Sequence, residues 1–384
     1  MTSEWSTIRA ADFIDFNPRL SLKKGAIATK VAMDKLKPFS KKIPETEKTE
    51  FNGGAKFCNG DTVMARITPC LENGKTAYVD MLDDGEIGFG STEFIVMRAK
   101  AGISDPQFVY YTAINPTFRN VAIKSMVGSS GRQRVQQSVL EELELSVPNL
   151  DEQRRIGSFL AGLDEKIALN NRINDNLQQQ AMALYAEMFL NSSDDNVTSG
   201  TLSDIAVITM GQSPSGSSYN EDGVGEVFYQ GRAEFGFRFP KRRLFTTEPK
   251  RMAEAGDVLL SVRAPVGDLN MAYEKCCIGR GLGAIHSKTG HSSFVLYTMF
   301  ALRSQLNVFN GEGTVFGSIN RDALNAIPID VPLVTKIDQF EAVAHPIDEL
   351  IRTNYEENCR LEAIRNSLLP KLMSGEIDVS AIRL

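Results

Sequence analysis

The chain has 384 residues, of which 42% are hydrophobic and 23% charged, and it carries a formal net charge of −6. This length predicts roughly two to four folding units, and this composition excludes an intrinsically disordered chain. No stretch approaches the ~20 apolar residues that span a bilayer, and the first residues, MTSEWSTIRAADF, lack the basic and apolar regions of a secretory signal, so we expect a cytoplasmic protein.

Charge is distributed unevenly along the chain. Residues 1–148 and 196–330 carry net charges of +1 and 0, whereas residues 149–195 and 331–384 carry −4 and −3. Each long and nearly neutral segment is therefore followed by a short acidic one. This alternation indicates a duplicated module whose parts meet at these boundaries.

The first long segment contains a stretch that returns in the second. Residues 59–69, NGDTVMARITP, match residues 255–265, AGDVLLSVRAP, at an offset of 196. Both are typical of a glycine–aspartate turn followed by a mostly apolar strand that ends at proline. We therefore predict the same strand in both long segments.

Each short segment predicts one long helix. Apolar residues recur at spacings of four and three from Ile156 to Met188, and again from Phe340 to Leu372. This spacing is that of an a/d coiled-coil seam. The first helix would be about 50 Å long at ~1.5 Å per residue. We thus expect an α+β protein with two long helices that pair.

Two asparagines occupy adjacent seam positions in each helix: Asn170 and Asn174 in the first, Asn354 and Asn358 in the second. A buried asparagine fixes the register of a seam when another polar group faces it. Antiparallel helices would place Asn170 opposite Asn358 and Asn174 opposite Asn354. Parallel helices would pair Asn170 with Asn354 equally well, and slightly rotated helices would point all four side chains to solvent. The direction of the helices therefore stays open.

The sequence lacks the motifs of catalysis and metal binding. Its three histidines have no second ligand at HExxH or CxxC-type spacing, and its five cysteines form no CxxC pair. GKT at residues 74–76 lacks the glycine that a phosphate-binding loop needs at position 69, and NPTF at residues 115–118 departs from the NPPF or NPPY of adenine methyltransferases. We expect no catalytic residue, no metal and no cofactor.

Positive charge is concentrated within both long segments. Residues 19–42 carry a net charge of +7 and residues 230–251 a net charge of +5. Such stretches neutralise phosphates and position a protein on a duplex, although a single charge run is usually only a solvated surface. In FGFRF, residues 235–239, we predict a strand whose phenylalanines enter the core while Arg238 projects outward. The candidates for DNA contact in these stretches are Lys30, Lys35, Lys37, Arg232, Arg238 and Arg242, and Arg238 could reach either the DNA backbone or a base.

Polar loops that contain glycine supply the candidates for base contact. Arginine, glutamine and glutamate suit the groove edges of guanine, adenine and cytosine respectively, whereas the alternative is that these loops are simple turns. The candidates are Ser91, Thr92, Arg132, Gln212, Ser213 and Arg280.

Four stretches resemble the DNA-specificity subunit of type I restriction-modification systems. They are VPNLDEQRRI at residues 147–156, STEF at 91–94, RGLGAI at 280–285 and LLPKLMSGEI at 368–377. The resemblance spans the whole chain. The second helix departs from it, because TKID at residues 335–338 stands where EQ is expected.

The resemblance implies two α/β target-recognition domains, residues 1–148 and 196–330, each reading one half of a bipartite DNA site. It implies that residues 149–195 and 331–384 form two antiparallel coiled-coil helices that separate these domains, with a pseudo-two-fold axis relating the halves. It further implies partners: two modification subunits, which use S-adenosylmethionine to methylate adenine, and a translocating nuclease subunit. Catalysis would then lie in these partners.

Two rival functions are compatible with the sequence. The chain could be a DNA methyltransferase or nuclease in its own right, which would act without partners. It could also be a helical scaffold that pairs with a partner and binds no DNA. Binding assays on DNA with salt titration separate this case, because neutralised phosphates predict binding that weakens steeply with salt.

Overall fold

The computed structural model describes residues 5–129, 131–191, 197–310 and 317–382. The chain divides into two compact units: unit 1 is Met1–Asn170 with Glu356–Leu384, and unit 2 is Asn171–Tyr355. The two long helices contribute to both units, so the boundaries of the units differ from those of the four segments predicted from charge. The division into those four segments stays a prediction. Within the described ranges, no helix combines the length and the apolarity that a membrane span requires.

The described residues of unit 1 form ten strands, four short helices and parts of both long helices. The strands are β1 (Ser6–Arg9), β2 (Ile14–Phe16), β3 (Ile27–Val31), β4 (Glu47–Glu50), β5 (Ala55–Phe57), β6 (Thr62–Ala65), β7 (Thr76–Tyr78), β8 (Gly88–Gly90), β9 (Phe94–Ala99) and β10 (Glu144–Val147). The helices are α1 (Ala10–Phe13), α2 (Pro106–Ile114), α3 (Pro116–Lys124), α4 (Gln137–Glu141) and the first part of α5 (Leu150–Tyr185). One antiparallel sheet has the order β2-β9-β6-β7, a second has the order β4-β3-β8-β5 with β3 and β8 parallel, and β1 pairs with β10.

Unit 2 contains eleven described strands and four short helices. The strands are β11 (Val197–Thr201), β12 (Ala206–Met210), β13 (Tyr219–Asn220), β14 (Glu226–Tyr229), β15 (Phe245–Thr246), β16 (Met252–Ala253), β17 (Val258–Ser261), β18 (Leu269–Met271), β19 (Cys276–Ile278), β20 (Leu282–Ser287) and β21 (Pro328–Pro332). The helices are α6 (Leu202–Ile205), α7 (Ser292–Ala301), α8 (Arg303–Leu306), α9 (Arg321–Asn325) and the first part of α10 (Val334–Met373), whose last part belongs to unit 1. The sheets have the orders β12-β20-β17-β18 and β13-β15-β14-β19-β16, and β11 pairs with β21.

The two units share one sheet plan. The order β2-β9-β6-β7 of unit 1 corresponds to β12-β20-β17-β18 of unit 2, and the parallel pair β3–β8 corresponds to β14–β19. The strand predicted twice from the sequence is confirmed as β6 and β17. Each follows a glycine with positive φ, Gly60 or Gly256, and an aspartate, Asp61 or Asp257, that accepts from the backbone amide three residues earlier, at 2.8 and 2.9 Å. The α+β fold class is confirmed.

The long helices bury their seams in the core of each unit. In unit 1, Ile156 and Leu160 of α5 pack with Leu372 of α10 and with α2. In unit 2, the rings of Tyr185 and Phe340 lie 5.6 Å apart, in a core that also contains α7. The α5 helix ends at Tyr185, and a π-helical turn, Ala186–Leu190, follows it directly. Met188, which was predicted as a seam residue of the first helix, lies in that turn.

Within each unit, the two helices run antiparallel. In unit 1, Asn170 Nδ2 donates to Asn358 Oδ1 at 2.9 Å, and in unit 2 Asn354 Nδ2 donates to Asn174 Oδ1 at 2.8 Å. Asn170 and Asn174 are only 1% and 3% exposed. These are the two pairs that an antiparallel seam requires, and a parallel seam would not form them.

Replacing Asn174 with leucine should lower the free energy of unfolding. The change removes the acceptor for the Asn354 amide, and a buried polar group that loses its partner costs about 1–3 kcal/mol. The double variant Asn174→Leu/Asn354→Leu removes both polar groups and should recover most of the loss. Thermal melting of the three proteins tests this, and a single variant that melts like the wild type would contradict it.

Candidate nucleic-acid interface

In unit 1, two loops meet beside the antiparallel sheet: one follows β2 and the other joins β8 to β9. Asn17 fastens the first loop to β9, because its amide donates to Val96 O at 2.7 Å and its Oδ1 accepts from Val96 N at 2.9 Å. In the second loop, Ser91 Oγ accepts from Glu93 N at 3.1 Å, and Glu93 O accepts from Arg66 N at 2.9 Å. The first loop is therefore held to β9, and the second is held to the residue that follows β6.

These loops border a cleft of about 610 Å³, which we call the unit 1 cleft. It is lined by Asn17, Pro18, Arg19, Leu20, Gly54, Ala55, Lys56, Arg66, Thr92, Phe94 and Val96. The lining includes three basic side chains and, among these described residues, no acidic one. A cleft of this kind suits electronegative atoms, such as phosphate oxygens or the acceptor edge of a base.

Unit 2 brings together the equivalent loops, one after β12 and one between β19 and β20. The backbone amide of Gln212 donates to Ile278 O at 3.0 Å, and Ser213 Oγ accepts from the Arg280 amide at 3.2 Å. Gln212 and Arg280 are exposed. Three residues that were predicted separately from the sequence thus form one cluster, whose role in DNA contact stays a prediction.

Sequence reasoning missed several residues at these sites. Gln230 joins the unit 2 cluster, because its carbonyl accepts from the Gly281 amide at 3.3 Å and its side chain is exposed. Arg19, Lys56 and Arg66 line the unit 1 cleft, yet none was chosen as a candidate. One signal was available: the Asn-Pro that follows β2 aligns with the Ser-Pro that follows β12, at the same offset of 196 as the matched strands.

Several of the predicted DNA contacts in the basic stretches are paired with acidic residues. The ion pairs are Lys30 with Glu47, Lys35 with Glu45, Arg232 with Asp268, and Arg242 with Glu274. Exposed pairs of this kind contribute little to stability and can exchange partners, but they reduce the local positive charge that the sequence indicated. Lys37 and Arg132 are exposed and form no ion pair with any residue that the structure describes.

The prediction that Arg238 projects outward from a strand is wrong. The described residues 235–239 form no strand, and although Phe239 is buried, Phe237 is 46% exposed. Arg238 is 2% exposed, and its Nη1 donates to Asp348 Oδ1 at 2.6 Å. Because its charge is neutralised inside unit 2, Arg238 is not available to a phosphate.

Each unit contains a buried cluster that fastens a short helix to a long one. In unit 2, the Tyr297 hydroxyl of α7 donates to Asp348 of α10 at 2.9 Å. In unit 1, the Tyr111 hydroxyl of α2 donates to Asp164 of α5 at 2.6 Å, and Arg365 also donates to Asp164. Burial raises the pKa of both phenols, so they remain protonated donors at neutral pH.

Lys41 takes part in the unit 1 cluster. Its Nζ lies 3.4 Å from the Tyr111 hydroxyl and 5.3 and 5.6 Å from the ring centroids of Tyr78 and Tyr110. Burial lowers the pKa of Lys41 from its usual 10.5 to about 8. The folded chain therefore releases this proton at a lower pH than the unfolded chain does.

The stability of unit 1 should consequently rise between about pH 8 and pH 10, where the unfolded lysine still holds its proton, by about 2 kcal/mol from this group. Lys41→Met should abolish that increment. Urea unfolding at pH 7.5 and 9.5, followed by the fluorescence of the single tryptophan, Trp5, which packs on the unit 1 core, measures it. If the free energy of unfolding depends on pH equally in the wild type and in the variant, burial does not lower the pKa of Lys41.

The remaining motifs have structural roles or no site. Asn115 of the NPTF stretch caps α3, with its side chain accepting from the Thr117 amide at 3.3 Å. Throughout the described ranges, no group of three or more histidine, cysteine, aspartate or glutamate residues is arranged to hold a metal ion. Neither finding assigns a catalytic step to this chain.

Comparison with known proteins agrees with the repeat. A family model described as type I restriction modification DNA specificity domain matches residues 3–179 and again residues 194–363. The MjaX specificity subunit of a type I restriction enzyme, from Methanocaldococcus jannaschii, is 28% identical over 338 residues, which cover 83% of this chain and 79% of the relative. The HindI specificity subunit from Haemophilus influenzae is 23% identical over 402 residues, covering 83% and 86%.

A solved structure shares the fold. The S subunit of a type I restriction-modification system from M. genitalium is 17% identical to this chain, with a TM-score of 0.57 and 96% of each chain covered. The family model matches most of the chain, and its two matches coincide with the two copies of the sheet plan. The chain therefore belongs to the type I restriction-modification DNA-specificity family.

Proposed function

We propose that this chain recognises a bipartite site in double-stranded DNA, with one half-site read by each unit. The observation that carries the proposal is that the same two loops meet, at equivalent places in the sheet plan, in both units of a single chain. Residues 1–148 and 196–330 then act as target-recognition domains, and residues 149–195 and 331–384 as the helical spacer between the half-sites.

The side chains at these loops have the chemistry of base and phosphate contact. In unit 2, Gln212 and Arg280 are exposed, and they match the paired groups on adenine and guanine. In unit 1, the cleft presents basic donors next to Thr92. Lys37 and Arg132, exposed and outside any described ion pair, have the chemistry of phosphate contact.

We further propose that the chain is the DNA-binding scaffold of a larger enzyme. Its partners are two modification subunits, which methylate adenine from S-adenosylmethionine, and a nuclease subunit that translocates DNA; catalysis lies in these partners. The support is that the relatives are named as specificity subunits of restriction enzymes. The net acidity of both helical segments also suits a surface that faces protein rather than phosphate.

Selection from a library of randomised duplexes tests the proposal. The full chain, assembled with its modification subunits, should enrich two short sequence blocks separated by a fixed gap, and its affinity should fall steeply with salt. Mapping of methylated adenines in the source cell should give the same split motif, which should vanish when the gene for this chain is deleted. One contiguous motif, or no enrichment at all, would refute bipartite recognition.

The same preparation tests where catalysis lies. The purified chain alone, incubated with S-adenosylmethionine and the selected duplex, should transfer no methyl group and cut no DNA. Activity should return when the modification subunits are added. Methyl transfer by the chain alone would make it an enzyme in its own right.

A further inference from the structure

Arg66 of unit 1 and Val262 of unit 2 occupy the same place in the sheet plan, directly after β6 and β17. Each residue makes two backbone hydrogen bonds that correspond one to one. The amide of Arg66 donates to Glu93 O at 2.9 Å, as the amide of Val262 donates to Gly281 O at 3.0 Å. Each carbonyl then accepts from a later amide, at 2.8 and 3.1 Å. The backbones are therefore equivalent, and the two side chains can be compared directly.

The surroundings of these two side chains differ in charge. Beside Arg66, the carboxylate of Glu93 receives three N–H···O contacts of 2.6 to 3.0 Å from Arg134. Unit 2 has a glycine in place of Glu93 and a serine in place of Arg134. Val262 is 3% exposed and belongs to the core. The guanidinium of Arg66 thus has no counterpart at the equivalent position of unit 2.

Arg66 is a lining residue of the unit 1 cleft, and its guanidinium retains donor capacity. Its Nη2 donates to Val135 O at 3.4 Å, which is long for a hydrogen bond, and its Nε is buried without a partner among the residues that the structure describes. A buried donor with no acceptor is costly. Glu93 is already engaged by Arg134, so the Arg66 guanidinium favours a ligand that brings its own acceptors.

We propose that Arg66 is a base-reading residue, which donates to O6 and N7 of a guanine in the half-site read by unit 1. This inference rests on the proposed function. Guanine presents two acceptors side by side in the major groove, and the planar fork of arginine contacts both. Phosphate oxygens share this acceptor chemistry, but Arg19, an exposed residue of the same cleft, is better placed for them.

The test compares Arg66→Gln with Arg19→Gln, which remove one positive charge each from the same cleft. Both variants are assembled with the modification subunits and used in duplex selections and in binding titrations against salt. Arg66→Gln should relax the preference at one base pair of one half-site and lower affinity for the original sequence roughly 10- to 100-fold. Arg19→Gln should weaken all duplexes about equally and reduce the salt slope by about 1.

Three results would overturn the role of Arg66. One is a uniform loss with a reduced salt slope in Arg66→Gln, which would assign Arg66 to a phosphate. Another is an unchanged motif in that variant. The third needs no variant in unit 1. Arg280→Gln should alter only the half-site read by unit 2, so the unaltered half-site is the one read by unit 1. If that half-site contains no G·C pair in the wild-type motif, Arg66 does not read a guanine.

Arg66→Lys protects the test against a variant that fails to fold. Lysine keeps the charge but not the planar fork, so this variant should retain the salt slope and lose the preference at the same base pair. The failure of the inference is distinguishable from that of the proposed function. If the wild type selects no bipartite motif, the proposed function fails; if it selects one that both Arg66 variants preserve, only the role of Arg66 fails.

Discussion

Replacing Asp348 with alanine should lower the free energy of unfolding of unit 2 by about 3–5 kcal/mol. This carboxylate is 6% exposed, and its Oδ1 accepts from Arg238 at 2.6 Å and from the Tyr297 hydroxyl at 2.9 Å. Removing it would leave the guanidinium of Arg238, 2% exposed, without a counter-charge in a medium of low dielectric constant. The neutral amide of Gln178, 3.0 Å from Arg238 Nη2, cannot supply that charge.

Two optical signals can measure this loss. Circular dichroism follows both units, whereas the fluorescence of Trp5, the single tryptophan, follows unit 1. In urea, Asp348→Ala should move the circular dichroism transition to lower denaturant. The matched variant Asp164→Ala, in the unit 1 cluster, should move the Trp5 transition.

A compensating double variant separates the charge from the packing. Arg238→Met with Asp348→Leu replaces the ion pair by apolar side chains of similar volume, and such replacements are often neutral or stabilising. The double variant should therefore recover most of the loss, and it should fall short of the wild-type midpoint only by the cost of the Tyr297 hydroxyl, which loses its acceptor, about 1–3 kcal/mol. A wild-type transition in Asp348→Ala itself would mean that the buried carboxylate does not hold α10 to Arg238 and to α7.

The elements that could be predicted are those that a local sequence pattern indicates. The strands β6 and β17 follow from a short matched stretch, and both long helices follow from alternating spacings of four and three residues. The positions of Asn170 and Asn174 predicted a polar seam. They left its direction open, because the same spacing fits a parallel pair, and only the contacts within each unit decide it.

The partners of individual basic side chains could not be predicted in this way. Alternating phenylalanines around Arg238 suggested an outward side chain, but its partner, Asp348, lies 110 residues further along the chain. The positive charge of the basic stretch in unit 2 is likewise partly neutralised by Asp268 and Glu274, which lie outside that stretch in the sequence. Local charge counts therefore overstate the positive charge that these stretches offer to DNA.

The residues of the two candidate loop clusters were missed in part for a related reason. Gln230 meets the loop between β19 and β20 because β14 and β19 are adjacent and parallel, a pairing between segments almost 50 residues apart in the sequence. Parallel pairs require long crossover connections, so no short sequence window contains both partners. Alignment of the two repeats could have indicated the loops, but not the residues that β-pairing adds to them.

Gly211 should be essential for recognition by unit 2, because two backbones meet there. A Cβ at this position would lie 2.2 Å from Gly279 O and 2.8 Å from Ile278 O, closer than real side chains approach. Both contacts are backbone atoms of the facing segment, so the loop after β12 would have to move away from the loop between β19 and β20. The bonds that hold Gln212 and Ser213 against that segment would be lost with it.

Gly211→Ala should therefore abolish the sequence preference in one half-site and preserve it in the other. Loss of contacts to several base pairs should lower affinity for the full site on the order of 100-fold or more, since each mismatched pair typically costs about 1–3 kcal/mol. Gly216→Ala is the matched control, because a Cβ there meets nothing within 4 Å and its φ is not positive. Duplex selections with both variants measure the effect; an intact split motif in Gly211→Ala would show that unit 2 reads DNA with some other surface.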